Sequence, residues 1–266
     1  MFFDLFRDFQ AAVDYLCGGG VLINKFFFNL FLALNFAFAL AVHLFGNVAE
    51  AKTYPPCPKD RADYFCISPD MTPNSQIDIV KFYTTPAQIL QLFKTELAQK
   101  PYPIVLNAEW ESPFFGAGVS LYENNFRLMI LGGTTRIAGL TPDAYAAIVC
   151  HELGHVIGGS PFQTIQFAEW SSAEGQSDFF AANICLPRYF RSLNETEDKI
   201  SARIEEAGYS MIKSFSQAIK EGDGFIRFKA DTTKTTATLI NTYPSLQCRY
   251  ENFRNPSVRP GCWFRD

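Results

Sequence analysis

Histidine is nearly absent, with three in 266 residues. One of them, His43, falls inside an N-terminal apolar run, which leaves His151 and His155 in the body of the chain. A metal held by three histidines of that body is therefore excluded. Charge is sparse and close to balanced, at 19 % of residues with a net of −4, which gives no basic surface for nucleic acid. The body has no internal repeat and no low-complexity tract. It also has no further apolar run of about 20 residues, the length that spans a bilayer. What is plentiful is apolar material, 48 % of the chain, enough for one globular domain or two with an ample core.

The apolar run is "FFFNLFLALNFAFALAVHLF", Phe26 to Phe45, with Lys25 before it and Ala49-Glu50-Ala51 after it. A basic residue, an apolar stretch and a small-x-small site read as a secretory signal cut before Lys52. The alternative is a retained anchor, because the stretch is long for a signal. Both send residues 52–266 out of the cytoplasm, to a bacterial periplasm or the medium. Residues 1–20 do not fit a signal. Gly18-Gly19-Gly20 implies G-rich codons like a ribosome-binding sequence, so Val21 or Leu22 is the expected start and 1–20 an upstream extension. The expected organisation is 1–51 as extension plus signal peptide or anchor, and 52–266 as the functional domain.

Of seven cysteines, Cys17 lies in the extension, which leaves an even six. In an exported chain that favours disulfides. Short loops suggest Cys57–Cys66 and Cys248–Cys262, and elimination then leaves Cys150–Cys185, unless that last pair is simply two buried thiols.

Residues 52–83 are proline-rich and polar, an irregular lead-in. In "TTPAQILQLFKTELAQ", Thr85 reads as a helix cap, Pro86 as its first turn and Gln88 as the partner of a capping box. Residues 102–110 and 118–133 read as strands, with a hairpin through Glu123-Asn124-Asn125. A helix follows from Thr141 as cap and Pro142 as first residue to Gly158-Gly159. "SSAEGQSDFFAANIC" reads as a second helix. A third begins near Asp198, with Ile200, Ile204, Met211, Ile212, Phe215 and Ile219 on one face. The last forty residues read as loops.

The helix from Thr141 carries His151-Glu152-Leu153-Gly154-His155. Histidines four apart project from one helical face and can hold one metal, and Glu152, turned about 100° away, can reach water there without ligating. A plain amphipathic helix with a core face of Tyr145, Ile148, Val149, Val156 and Ile157 does not explain two histidines and a glutamate. The third ligand must be a carboxylate, unless a thiolate serves, which excludes metzincin-like and carbonic-anhydrase-like sets. Glu174 is the candidate, and Asp178 can take the second N–H of a ligating histidine. The competing reading makes Glu174 half of a capping box with Ser171.

His-Glu-Leu-Gly-His followed by Glu174-x-x-x-Asp178 resembles the gluzincin zinc metallopeptidases. "EGQSD" is closest to the E-x-x-A-D segment of the branch containing the CAAX prenyl proteases and membrane heat-shock proteases. The resemblance covers roughly 126–185 well and does not cover 52–100. It implies an α+β zincin-like fold, with a small mixed sheet, an active-site helix and a following Glu-bearing helix. It further implies Zn2+ held by His151, His155 and Glu174, with Glu152 as base and Asp178 behind a ligand. It also implies that "RLMILGG" is the edge along which substrate pairs. Gly132 and Gly133 would leave that edge open to a peptide, or else only form the next turn. "TYPSLQCR" (242–249) faintly echoes a Ser/Thr-His-Pro…Arg segment, with Tyr243 in place of the histidine. Tyr243 or Arg249 would donate to an oxyanion, against the alternatives of a core tyrosine and a surface arginine.

The expectation is an exported zinc metallopeptidase acting on a peptide or protein, with no nucleic acid and a membrane only where the apolar segment is retained. The alternatives are a non-catalytic, zinc-stabilised binding protein on the same fold and a hydrolase of another bond. Intact Glu152 argues against the first, since a structural site needs no base.

Overall fold

Asp78 starts the first helix, α1 (Ile79–Leu92), by accepting a hydrogen bond from the Lys81 backbone N–H at 2.8 Å. The computed structural model describes Cys66 and residues 76–219, 227 and 229–265, all within the unit Tyr54–Asp266. Pro86 therefore lies inside α1, and Thr85 is not its cap, contrary to the sequence expectation. An interior proline normally leaves a carbonyl four residues earlier without its donor. Here that carbonyl is Phe82, and the buried Tyr145 hydroxyl donates to it at 2.7 Å. Phe82, Thr85, Pro86 and Ile89 then form the buried stripe that holds the helix in place. One further turn, α2, spans Lys94–Leu97.

Three strands follow: β1 (Ile104–Glu109), β2 (Ala117–Tyr122) and β3 (Asn125–Leu131). Glu123 and Asn124, both with left-handed backbone (φ 48° and 58°), make the two-residue turn between β2 and β3. The sheet is mixed, in the order β1-β3-β2, with β3 parallel to β1 and antiparallel to β2. This corrects the edge reading of "RLMILGG": both sides of β3 are already hydrogen-bonded. Phe126, Leu128 and Ile130 point into the core from β3, while Met129 faces out.

Gly132 and Gly133 open a short 3-10 turn, Gly132–Arg136, and are buried. A Cβ on Gly132 would lie 1.9 Å from the Trp110 carbonyl oxygen, and one on Gly133 would lie 2.4 Å from those of Pro113 and Phe114. The two glycines serve packing and the turn, not an open path for substrate.

The helical layer is built around α3 (Pro142–Ile157), whose residues from Ala144 through Val156 are all buried. Thr141 caps it as expected, its hydroxyl accepting from the Ala144 N–H at 3.2 Å. Next come α4 (Glu174–Phe180), a π-helical turn (Ala181–Cys185) and α5 (Leu186–Ser192). The long α6 (Glu197–Ile219) buries Ile200, Ile204, Ala207, Met211 and Ile212 against this layer.

The tail contains a helix where the sequence suggested only loops: α7 (Leu246–Arg254), capped by the Ser245 hydroxyl. Its inward face includes Arg249 and Asn252, so apolar spacing does not reveal it. Cys150–Cys185 and Cys248–Cys262 are disulfides with Cα separations of 5.7 and 5.9 Å, which suits an oxidising environment outside the cytoplasm. The first ties α3 to the π-helical turn, and the second ties α7 to the C-terminus. Cys57, the signal segment and the suggested start lie outside the described residues. Among the described residues no helix is long and apolar enough to cross a membrane. The architecture is α+β with a small mixed sheet.

Candidate metal centre

Because His151 and His155 are one helical turn apart, their rings meet on one face of α3, with centroids 4.8 Å apart. Opposite them stands Glu174, the first residue of α4. Two features bring α3 and α4 this close. A Cβ on Gly154 would lie 2.9 Å from the Ser177 Cα, so glycine between the two histidines permits the approach. The Cys150–Cys185 bridge then fastens the segment beside His151 to the end of the α4 run.

The Nε2 atom of His151 is 3.2 Å from Glu174 Oε2, and that of His155 is 3.7 Å from Glu174 Oε1. One ligand atom from each of the three buried residues lies within 4.8 Å of the others, so the group can hold a metal ion. The chemistry of the donors fits. Glu174 Oε2 is buried and makes no hydrogen bond of good geometry, its ion-pair contact being His151 Nε2 at 3.2 Å, so a cation held between the two would satisfy both. Both imidazoles have their Nδ1 atoms occupied elsewhere, leaving Nε2 of each turned towards the glutamate.

The two histidines are held in different ways. His151 Nδ1 is 2.8 Å from Asp178 Oδ1, and Asp178 is wholly buried. Arg249 closes the other side, donating from Nε to Oδ2 at 2.7 Å and from Nη2 to Oδ1 at 2.9 Å. Burial drives the Asp178 carboxyl upward, but the charges of Arg249 and then His151 outweigh it and hold it at about 2. Burial likewise opposes the charge on His151, and Asp178 together with Glu174 overcomes it, raising the imidazole to about 10. Glu174 is pushed up by burial and pulled further down by His151, to about 2. Those values belong to the metal-free protein.

His155 Nδ1 instead meets only neutral oxygens. The Ser172 carbonyl is at 2.8 Å, and the Ser171 and Ser177 hydroxyls are each at 3.0 Å. The competing capping-box reading of Ser171 is thereby overturned. Its hydroxyl is used at His155, and α4 has Ala173 as its cap with no side-chain capping bond. None of these serines stands out in the sequence as a partner of His155, since serine is common and none belongs to the His-x-x-x-His or Glu-x-x-x-Asp pattern.

Glu152 is buried and lines, with His151, a cavity of about 520 Å³. Tyr243 and Arg249 border the same cavity, with their surroundings the reverse of the alternatives weighed for them. Arg249 is 5 % exposed and committed to Asp178, whereas Tyr243 is 69 % exposed. The Tyr243 hydroxyl is raised by partial burial and by the neighbouring Glu174 carboxylate, so it remains a proton-bearing donor at neutral pH. Arg249 also packs between two rings, 5.3 Å from the Phe215 centroid and 5.6 Å from that of Tyr243. Gly132 and Gly133 are not among the residues that line this cavity.

A second cluster, Asp231 with Cys248 and Cys262, is compact enough for a cation, but both sulfurs are joined in the disulfide. No family model, curated protein or solved structure matches this chain.

Proposed function

We propose that the chain is an exported zinc metallopeptidase with a zincin-like fold and a ligand set of His151, His155 and Glu174. The observation that carries this reading is the buried Glu174 carboxylate facing the Nε2 atoms of two imidazoles whose other nitrogens are already engaged. Two histidines and one carboxylate are a catalytic zinc donor set, three protein ligands with a position left open. The chemistry a zinc ion supplies when bound is Lewis acidity, towards water and towards a carbonyl oxygen.

The chain's own groups do the rest. Asp178 accepts the His151 Nδ1–H and fixes the tautomer that presents Nε2. The Glu152 carboxylate takes the proton from the attacking water and delivers it to the nitrogen of the leaving amine. Tyr243, at the mouth of the cavity, donates its hydroxyl proton in a hydrogen bond to the carbonyl oxygen as negative charge develops there.

Metal analysis and peptide-library cleavage by the full chain test this, each with and without chelator. Glu152→Gln should keep zinc and lose at least 100-fold in turnover, taking the general-base contribution as roughly 10²–10⁴. Glu174→Gln should lose the metal itself. Equal zinc retention in the two variants removes Glu174 from the ligand set. Zinc with no Glu152-dependent cleavage leaves the non-catalytic binding protein.

A further inference from the structure

We infer that the cavity beside Glu152 selects a substrate with a bulky apolar side chain, aromatic or branched aliphatic, next to the bond that is cleaved. This rests on the peptidase reading and deepens it. The cavity volume, about 520 Å³, is that of a small-molecule or side-chain site. Its walls away from the metal ligands come from Phe115, Ile148, Phe215 and Leu246. Phe115 and Phe215 meet edge to face, with centroids 6.0 Å apart. Both are only half-buried, so apolar ring surface remains for a ligand to cover.

What decides the preference is the state of the polar groups in the lining. The Thr134 hydroxyl is spent on Gly116, accepting from its N–H and donating to its carbonyl, both at 2.8 Å. The Ser245 hydroxyl accepts from the Cys248 N–H and donates to Asp231, each at 3.1 Å. Arg249, the cation in this wall, is turned to Asp178 through Nε and Nη2, so its charge is matched inside the protein. A polar side chain entering here gives up its water and finds both hydroxyls already bonded and the guanidinium charge already paired, whereas an apolar one loses nothing. Glu152, His151 and Tyr243 belong to the proposed reaction centre, so none of them contributes to selecting the side chain.

The test uses the full-length, zinc-loaded protein and a series of peptidyl hydroxamates differing in one side chain: methyl, isobutyl, benzyl, carboxyethyl and aminobutyl. Affinity is read by calorimetry, and peptides with the same five side chains are assayed for cleavage. Benzyl and isobutyl should bind roughly 10- to 200-fold tighter than methyl, with the two charged chains no tighter than methyl. Phe215→Ala should remove most of that gap, and Phe215→Leu should keep it. A flat ranking, or a preference for either charged chain, overturns the inference and does so on the wild-type protein alone, whether or not the variants fold. Cleavage with a flat ranking removes this inference and leaves the peptidase reading. The apolar ranking without any cleavage removes the peptidase reading and leaves the cavity's preference.

Discussion

Removing the Arg249 guanidinium while keeping its apolar stem, as in Arg249→Met, isolates the electrostatic frame behind His151. Asp178 is wholly buried, and two of its bonds, at 2.7 and 2.9 Å, come from that guanidinium. Breaking a buried ion pair from one side costs about 3–5 kcal/mol, because the remaining charge keeps its desolvation penalty without its partner. A domain of this size loses roughly 2–4 °C in Tm per kcal/mol, so the expected drop is roughly 6–20 °C. Acidity gives a second, independent sign. Asp178 is held at about 2 against an ordinary 3.8, so its folded value is depressed. The stability it contributes is complete above the ordinary value and is lost as pH falls from there through the folded one. Arg249→Met removes the main depressing charge, and burial then pushes the carboxyl upward, so this acid-dependent loss shrinks or reverses. The Tm gap between wild type and variant should therefore be widest near neutrality and narrow as pH falls through the carboxylate range. Calorimetric melts of chelator-treated protein from pH 7 to 3 measure both effects. The Asp178→Asn/Arg249→Met double variant should cost less than the sum of its singles by about 1–3 kcal/mol. A drop under about 2 °C, or a gap independent of pH, refutes the reasoning.

Tyr145→Phe deletes the donor that compensates for Pro86 and leaves the Phe82 carbonyl unpaired in the core; denaturant melts should show a loss of about 1–3 kcal/mol. Gly132→Val should prevent stable folding, since its Cβ meets a carbonyl oxygen at 1.9 Å; a soluble variant with wild-type Tm would refute that packing role. Gly154→Ala should push α4 away from α3 and weaken zinc binding more than it lowers Tm, by calorimetry on the chelated protein; unchanged affinity would mean that the close approach to Ser177 is not what sets the ligand geometry.

The parts of the molecule legible in the sequence are those whose causes are local. Thr141-Pro142 announces the start of α3, and the histidine pair four residues apart gives the candidate metal face, because both depend only on helical geometry. Glu123-Asn124 sits where two strands must reverse, and its left-handed backbone makes the turn. The start of α1 was hidden because the cost of Pro86 is offset by a hydroxyl 63 residues from the carbonyl it serves. Sheet order was hidden for a similar reason. Nothing local in "RLMILGG" tells that β1 would pair with it in parallel and make it the central strand. The tail helix is not legible in the sequence because a buried arginine and asparagine look, by composition, like solvent-facing residues.

That buried polar face also explains why the tail belongs to the site. The Trp263 indole N–H donates to Asn252 Oδ1 at 3.1 Å, and Asn252 donates from Nδ2 to the Arg249 carbonyl at 3.2 Å. Arg249 in turn orients Asp178, which sets the His151 ring. The Cys248–Cys262 bridge closes this path within α7 and the segment just after it. His155 has no such dependence, since its three oxygen partners lie between 171 and 177, next to Glu174. Damage to the C-terminal segment should therefore loosen one ligand and leave the other in place. A candidate site with one histidine held locally and one held from the far end of the chain would reach its full metal affinity only once the whole domain has folded.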